Sequence, residues 1–375
     1  MKNAVPRMTP DGEVLVSSYL HNRALAMGTP LAGTFELTPR CNFSCRMCYV
    51  HENGDSEKEL TAAEWIALGQ TARDRGMLFL LLTGGEPMLR KDFSEIYTAL
   101  RKMGLMISIN TNGSLLTDEL FELFRQYPPT RFNISLYGVD DETYRKLCGS
   151  PSFEVVKRNI LRLKDAGFQV KLNCSVTPYN VHDVVKIYDF AKEHELRIQS
   201  TCYMYPPVRV NGGCFGDAPA RFTAADAAKY TLLCREQYLT PEQLAMSANH
   251  PVEDYDAECG EPMSCRAGRT TFWVTWKGQM TPCGTFPTDK AYDIRTLGFE
   301  KAWEKVRQDV LQIRMPKECA GCSLKKQCIA CAAAAVAESG DSTVKPEYIC
   351  EMIHRLHEMT SEKYPMKGEN YETES

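Results

Sequence analysis

The sequence predicts an α/β fold built on a parallel sheet, and two observations support this prediction. Strand-like and helix-like segments alternate six times between residues 33 and 204, which is typical of β/α units that share one sheet. Several of the helix-like segments begin at Thr or Asp and are followed by glycine, as capped helices are. Six such units form a sheet that is open or curled into a partial barrel, with the active site at the carboxyl ends of the strands.

The elements follow in chain order. The predicted strands span Phe35–Leu37, Leu78–Leu82, Met106–Asn110, Arg131–Leu136, Gln169–Val176 and Leu196–Cys202. The predicted helices between them span Thr61–Arg75, Asp92–Met103, Thr117–Gln126, Phe153–Ala166 and Val181–Glu193. Residues 1–32 are expected to form a capping hairpin or helix. Residues 205–258, which start with prolines and glycines and continue into the helical stretch Ala224–Tyr238, are expected to bridge the sheet and a C-terminal domain.

Composition narrows the class of protein. A chain of 375 residues suits one large domain and a smaller one. The net charge of -4 does not favour binding to nucleic acid or to an anionic membrane. We find neither an apolar run of about 18 residues nor a signal peptide in the sequence, so we expect a cytoplasmic protein. In that compartment, sixteen cysteines indicate metal ligation rather than disulfides.

Three of the cysteines lie in one short loop after the first predicted strand. They are Cys41, Cys45 and Cys48, with the spacing C-x3-C-x2-C. A loop delivered by a strand can wrap its thiolates around one soft metal centre. Three thiolates leave one iron of a four-iron cluster without a protein ligand and therefore open to chemistry. For this loop alone, a zinc site with His51 as fourth ligand or a disulfide framework remains an alternative.

This spacing after a first strand resembles that of the radical S-adenosylmethionine (SAM) superfamily, and the resemblance covers residues 33–204. It implies a partial (β/α)6 TIM-like barrel. It also implies that Cys41, Cys45 and Cys48 are the catalytic site, holding a [4Fe-4S] cluster whose open iron binds the amino and carboxylate groups of SAM. A flavodoxin or ferredoxin would reduce this cluster, which then cleaves SAM to methionine and a 5′-deoxyadenosyl radical.

A second motif ends the second predicted strand and matches the GGEP motif of this family. A carboxylate can pair with an ammonium group, and glycines allow the backbone to approach a ligand. The resemblance implies that this motif binds the SAM amino group, and implies further SAM contacts after later strands. A turn for Asn112 and a solvated helix position for Arg145 remain alternatives. The implied SAM-binding residues are Met47, which stands where relatives commonly have an aromatic residue, Gly84, Gly85, Glu86, Pro87, Asn110, Asn112, Ser135, Arg145 and Asn173.

The spacing of the C-terminal cysteines resembles that of the SPASM extension, which carries two auxiliary [4Fe-4S] clusters. This extension is expected over residues 259–355, and a C-terminal tail is expected over residues 356–375. A quartet with the spacing C-x2-C-x5-C-x2-C ends in x2 where relatives usually have x3, and a zinc site is the alternative for the quartet alone. The resemblance implies that one cluster is held by Cys259, Cys265, Cys283 and Cys331, and the other by Cys319, Cys322, Cys328 and Cys350. The remaining cysteines, including Cys148, are expected to be mostly buried small hydrophobes.

The sequence therefore predicts an enzyme with three clusters that abstracts hydrogen from a side chain of a peptide or protein, as in the maturation of ribosomal peptides. Dehydrogenation of a sugar or aminocyclitol is an alternative. Formylglycine formation on a sulfatase is less favoured, because those relatives place an aspartate where this chain has Gly284. The alternative outside enzymes is an electron-transfer or regulatory iron–sulfur protein. The GGEP motif argues against it, because electron transfer needs no SAM pocket.

Overall fold

The computed structural model describes residues 16–51, 59–206, 209–210, 220–248, 265–287, 290–325 and 327–366. The predicted ligand Cys259, Cys214 (one of the remaining cysteines expected to be mostly buried) and residues 367–375 of the predicted tail lie outside these ranges. In the described ranges, eleven strands are present. They are β1 (Ala32–Glu36), β2 (Val50–His51), β3 (Phe79–Thr83), β4 (Met106–Thr111), β5 (Arg131–Ser135), β6 (Val170–Ser175), β7 (Arg197–Thr201), β8 (Arg209–Val210), β9 (Thr271–Val274), β10 (Gln279–Thr281) and β11 (Tyr292–Asp293).

The helices follow the strands in the alternation that the sequence predicts, and further helices form in the C-terminal part. They are α1 (Val16–Met27), α2 (Ala62–Asp74), α3 (Phe93–Lys102), α4 (Asp118–Gln126), α5 (Asp141–Cys148), α6 (Phe153–Asp165), α7 (Val184–Glu193), α8 (Ala224–Glu236), α9 (Pro241–Ala248), α10 (Ile294–Leu297), α11 (Phe299–Gln312), α12 (Ala332–Ser339) and α13 (Glu347–Lys363). The start of α2 shows the local reason for these bounds, since Thr61 and Glu64 form a reciprocal capping box.

One sheet organises the molecule, in the order β11-β10-β9-β1-β3-β4-β5-β6-β7. The strands from β9 through β1 to β7 are parallel, whereas β10 is antiparallel to both of its neighbours. The parallel arrangement puts the carboxyl ends of β1 and β3 to β7 at one edge of the sheet. The predicted α/β class and its partial barrel core are confirmed.

Three features of the fold differ from the sequence prediction. The sheet gains β9, β10 and β11 from the cysteine-rich C-terminal part, where strands of four, three and two residues are too short to show a period-two pattern. Helix α5 was not predicted because its eight residues are mostly polar. Helix α13 runs through the expected start of the tail at residue 356, since its buried side chains continue to Thr360.

The core lies between the sheet and its helices. Trp65 of α2 packs on Phe35 of β1 with ring centroids 5.0 Å apart, and Phe124 of α4 packs on Phe132 of β5 at the same separation. All four side chains are fully buried. Burying a large apolar side chain contributes about 1.5–3 kcal/mol, so these contacts hold the helices against the outer face and fix the strand ends.

Candidate active site

The loop with the first three cysteines leaves the carboxyl end of β1 and rests on α5. The Ser44 amide donates to the Cys148 carbonyl at 2.9 Å, and the Arg46 amide donates to the Leu147 carbonyl at 2.9 Å. Gly149 ends α5 with a φ of +70°, and a Cβ there would lie 2.2 Å from the Ser44 hydroxyl. Only glycine fits this position, so the unpredicted helix α5 anchors the loop.

Backbone and side-chain amides face the first thiol of the loop. The Phe43 amide donates to Cys41 Sγ at 3.4 Å, and Asn112 Nδ2 lies 3.8 Å from the same sulfur. Asn112 also donates to Asn42 Oδ1 at 2.8 Å, which ties the end of β4 to the loop. Burial raises the pKa of the Cys41 thiol to about 11, and these two donors act in the opposite direction.

Cys148 lies beside the loop, a position that the sequence analysis did not predict. It is fully buried, as predicted for a small hydrophobe, but its thiol forms a hydrogen bond with that of Cys45. This hydrogen bond and burial raise the pKa of Cys45. No spacing pattern relates residue 45 to residue 148; helix α5 brings them together.

The two glycines after β3 pack against the backbone that leads into the cysteine loop. The Gly85 amide donates to the Thr38 carbonyl at 2.6 Å, and the Glu86 amide donates to the Arg40 carbonyl at 2.9 Å. A Cβ on Gly85 would lie 2.3 Å from the Arg40 carbonyl oxygen, and one on Gly84 would lie 2.6 Å from that of Thr38. In this structure, the close approach that the glycines permit is therefore between two protein loops.

Glu86 is fully buried next to this contact. Its carboxylate accepts hydrogen bonds from the Met88 amide at 3.1 Å and the Asn112 amide at 2.8 Å. The Thr111 hydroxyl lies 2.9 Å from both carboxylate oxygens and donates to one of them. Burial raises the pKa of Glu86 to about 7, although these donors act in the opposite direction. Glu86 thus joins the ends of β3 and β4 and keeps lone-pair capacity for a further donor.

A buried arginine that the sequence reading missed holds the start of the cysteine loop. Arg90 donates to the Leu37 carbonyl at 2.7 Å and to the Leu60 carbonyl at 3.1 Å. It also pairs with Asp92 at 2.7 Å and with Glu59 at 3.3 Å. No pattern in the sequence singles out Arg90, because its carbonyl partners lie 53 and 30 residues away along the chain.

The other predicted SAM contacts are distributed around the same edge. Asn110 Oδ1 accepts from Asn133 Nδ2 at 2.8 Å. Ser135 and Asn173 are register partners at the carboxyl ends of β5 and β6. Met47 packs against the core, and Pro87 is buried at the start of a short 3-10 turn. Arg145 is exposed on α5, and its side chain has no hydrogen bond or ion pair within the described ranges.

The C-terminal thiols fall into two neighbourhoods. Cys265, Cys283 and Cys331 interact electrostatically: the pKa values of Cys265 and Cys283 are raised, mainly by burial, and Cys331 contributes to both. The Ala334 amide lies 3.4 Å from Cys331 Sγ. The Tyr205 hydroxyl lies 3.7 Å from the same sulfur, and the Thr285 hydroxyl lies 3.3 Å from Cys283 Sγ.

The second neighbourhood contains the other C-terminal ligand candidates. The pKa of Cys328 is raised, first by burial and then by Cys322, Cys350 and Cys331. The pKa of Lys345 is raised, first by its hydrogen bond with Glu347, and Cys350 and Cys319 both contribute to this rise. The Ala330 amide lies 3.4 Å from Cys328 Sγ. The described members of the two predicted ligand sets thus group as the sequence resemblance divides them, with Cys328 close to both groups; their ligand roles remain predictions.

The donor sets fit iron–sulfur clusters by their chemistry. The described cysteines of each set form no disulfide, and one thiol in each set accepts a hydrogen bond from a backbone amide, as cluster sulfurs do. Over the part of the chain that the structure describes, no three His, Cys, Asp or Glu side chains meet closely enough to hold a single metal ion.

Comparisons with known proteins identify a family model that matches part of the chain and a relative that is similar over most of it. The family model described as the radical SAM superfamily matches residues 35–191. An "AdoMet-dependent heme synthase" of Methanosarcina barkeri (strain Fusaro / DSM 804) is 28% identical over 347 residues, covering 84% of this chain and 94% of that protein. Among the helices described here, none has the length and apolar character needed to cross a membrane.

Two solved structures share the fold across most of the chain. Streptococcus suis SuiB bound to S-adenosylmethionine aligns with a TM-score of 0.68 at 17% identity, over 89% of this chain and 81% of SuiB; SuiB is also solved with its precursor peptide SuiA. The protein anSMEcpe, with bound AdoMet and the Cp18Cys peptide, aligns with a TM-score of 0.65 at 17% identity, over 89% of this chain and 98% of that chain.

Proposed function

The chain belongs to the radical SAM superfamily of enzymes, and from this premise we propose that it is of the SPASM type and abstracts a hydrogen atom from a side chain of a peptide. The proposal includes three [4Fe-4S] clusters and an external flavodoxin or ferredoxin as reductant. The cluster at Cys41, Cys45 and Cys48, when bound, supplies the electron that cleaves SAM. The residues of the chain supply binding, orientation and exclusion of water.

Each part of the described site has a role in this proposal. Asn112 and the Phe43 amide stabilise the thiolate of Cys41. Glu86 provides a buried negative charge for the SAM ammonium group, and Thr111 orients that carboxylate. Arg90 holds the strand end that carries the loop. The two C-terminal groups of thiols would hold auxiliary clusters, which when bound would supply an electron acceptor or a ligation site for the substrate.

The observation that carries the choice of a peptide is the amide-rich inner face of the sheet. By register, Asn110 and Asn133 are neighbours, and so are Asn173 and Gln199 one layer nearer the carboxyl edge. Asn133 is buried, and among the described residues its Oδ1 has no hydrogen-bond donor. A buried acceptor without a partner costs free energy, and a peptide N–H group would satisfy it. The peptide-bound neighbours SuiB and anSMEcpe agree with this choice.

A second candidate function is a step of heme synthesis. It rests on the relative named AdoMet-dependent heme synthase, whose similarity extends along 94% of its length. A tetrapyrrole is a large and mostly apolar ring, and the amides of the inner face suit it less well than they suit a peptide backbone.

The test uses an Asn133→Leu variant, with Asn133→Asp as the control that keeps an acceptor oxygen. Reconstituted protein is incubated anaerobically with SAM, dithionite and peptides encoded next to its gene, and the masses of the products are measured by mass spectrometry. We expect Asn133→Leu to cleave SAM without substrate at the wild-type rate but to modify the peptide at least tenfold more slowly. Conversion of a heme precursor, with every peptide left unchanged, would establish the second candidate instead.

A further inference from the structure

A cavity of about 420 Å³ opens at the amino ends of β5, β6 and β7, on the edge of the sheet opposite to the cysteine loop. Four cationic side chains line it: Arg131, Lys164, Lys171 and Arg197. We call it the basic cavity. Within β5, Arg131 and Ser135 are four residues apart, or about 13 Å at the usual strand rise. A molecule held here is therefore not the one that meets the SAM-derived radical.

Register explains why these charges converge. Lys171 and Arg197 are direct partners on β6 and β7. Phe132 pairs with Val170, so Arg131 lies opposite residue 169 and shares the sheet face of Lys171. Strand residues two apart point to one side. Lys164 reaches the cavity from the last turn of α6.

The described residues that line the basic cavity include four cations and one carboxylate, that of Glu195. Neither arginine and neither lysine takes part in an ion pair in the described part of the chain; Lys171 instead hydrogen-bonds the neutral Gln199. Unpaired like charges at close range repel one another. The pKa of Lys171 is lowered, first by burial and then by Arg131, which agrees with such crowding. An anionic ligand would relieve the repulsion.

One carboxylate at the rim has an unusual backbone. Glu195 lines the cavity and has a φ of +52°, the only positive φ of a non-glycine residue in the described ranges. The corresponding turns after α2, α3 and α6 use Gly76, Gly104 and Gly167. At this one turn the backbone is strained where glycine would be relaxed, and the Glu195 carboxylate can accept a hydrogen bond from a ligand hydroxyl or amine.

We propose that the basic cavity binds a phosphorylated small molecule of nucleotide size. The guanidinium groups of Arg131 and Arg197 suit phosphate oxygens because they offer paired donors, and Lys164 and Lys171 add charge. The Glu195 carboxylate takes the hydroxyl groups of the ligand. The volume lies within the range of small-molecule sites. The ligand is an effector of the enzyme, since it sits about a strand length from the chemistry.

The test measures binding of pyrophosphate and of ADP to cluster-reconstituted full-length protein by calorimetry. We expect both to bind, and an Arg131→Gln/Arg197→Gln double variant to bind each at least tenfold more weakly with unchanged SAM affinity and iron content. Arg125→Gln is the matched control, because Arg125 is exposed on α4 and, among the described residues, forms an ion pair with Glu122 alone. Glu195→Gly relieves the strained backbone but removes the carboxylate that accepts from the ligand hydroxyl groups. It should therefore weaken ADP binding severalfold while sparing pyrophosphate, which has no ribose.

Three results would overturn the proposal. One is that neither pyrophosphate nor ADP binds at millimolar concentration. Another is equal binding to wild type and the double variant, which would place the anion elsewhere. The third is that only an acidic peptide such as oligoglutamate binds in an arginine-dependent way, which would make this surface a docking site for an acidic protein.

Discussion

The buried carboxylate of Glu86 gives the sharpest prediction, namely that Glu86→Gln changes both the pH dependence of stability and the affinity for SAM. The folded-state pKa of about 7 lies above the ordinary value of 4.5, so the folded protein holds this proton more tightly than the unfolded chain does. Below pH 4.5 the Glu86 carboxyl is protonated in both the folded and the unfolded state, so its ionisation does not lower the free energy of unfolding. Between pH 4.5 and about pH 7 the unfolded state loses this proton first, and the free energy of unfolding falls. The difference between the two pKa values, 4.5 and about 7, corresponds to about 3 kcal/mol.

The variant has no such titration. In apo-protein, the free energy of unfolding of wild type relative to Glu86→Gln should therefore fall by about 3 kcal/mol between pH 4.5 and pH 8. Gln also presents an N–H₂ group where the Met88 and Asn112 amides need acceptors, which costs the variant about 1–3 kcal/mol at every pH. Urea unfolding at a series of pH values measures both terms.

The same residue sets the expectation for SAM binding. Loss of a charge-assisted hydrogen bond, worth about 1.5–3 kcal/mol, should weaken SAM binding by about ten- to a hundredfold while iron content stays normal. Wild-type affinity should rise about tenfold from pH 6 to pH 8 as Glu86 ionises. Parallel stability profiles, together with equal SAM affinities for the two proteins, would refute the role assigned to Glu86.

Three further predictions follow from the cluster loops. Anaerobic reconstitution should give about twelve irons per chain, and replacing Cys41, Cys45 and Cys48 by Ala should remove about a third; stoichiometric zinc would contradict this. Tyr205→Phe removes a hydroxyl 3.7 Å from Cys331 Sγ and should lower an auxiliary-cluster potential by about 20–60 mV in an EPR-monitored titration. Tyr203→Phe is the control, since its hydroxyl bonds Glu338, and equal shifts would refute the contact. Gly85→Ala forces a Cβ against the Arg40 backbone and should cost about 1–3 kcal/mol of stability, whereas unchanged thermal unfolding would mean that the loop can yield.

The barrel core could be predicted from the sequence because its information is local. Each of the six strands carries apolar residues that its neighbours bury, and helix caps such as Thr61 and Thr117 mark where helices begin. The same holds for the cysteine loop and the GGEP motif, whose residues are consecutive. Patterns of this kind depend on spacing along the chain, and spacing is visible in one sequence.

The supports of the site could not be predicted, because they come from distant parts of the chain. Cys148 reaches Cys45 only because α5 folds under the loop, and Arg90, which follows β3, reaches the Leu37 carbonyl only because β1 and β3 are neighbours in the sheet. The added strands β9 to β11 are too short for a periodic pattern. The glycines of GGEP were expected to admit a ligand, whereas in the structure they admit the Thr38–Arg40 backbone. Each of these contacts is set by packing rather than by spacing.

The central claim, that the radical takes hydrogen from a peptide, has one direct measurement. Peptides encoded beside the gene are prepared with deuterium at carbon positions and incubated with reconstituted enzyme, SAM and dithionite, and the 5′-deoxyadenosine is analysed by mass spectrometry. We expect one deuterium in 5′-deoxyadenosine and a matching loss of deuterium from one peptide side chain. Unlabelled 5′-deoxyadenosine with the peptides intact, accompanied by turnover of a heme precursor or of a free sugar, would contradict it.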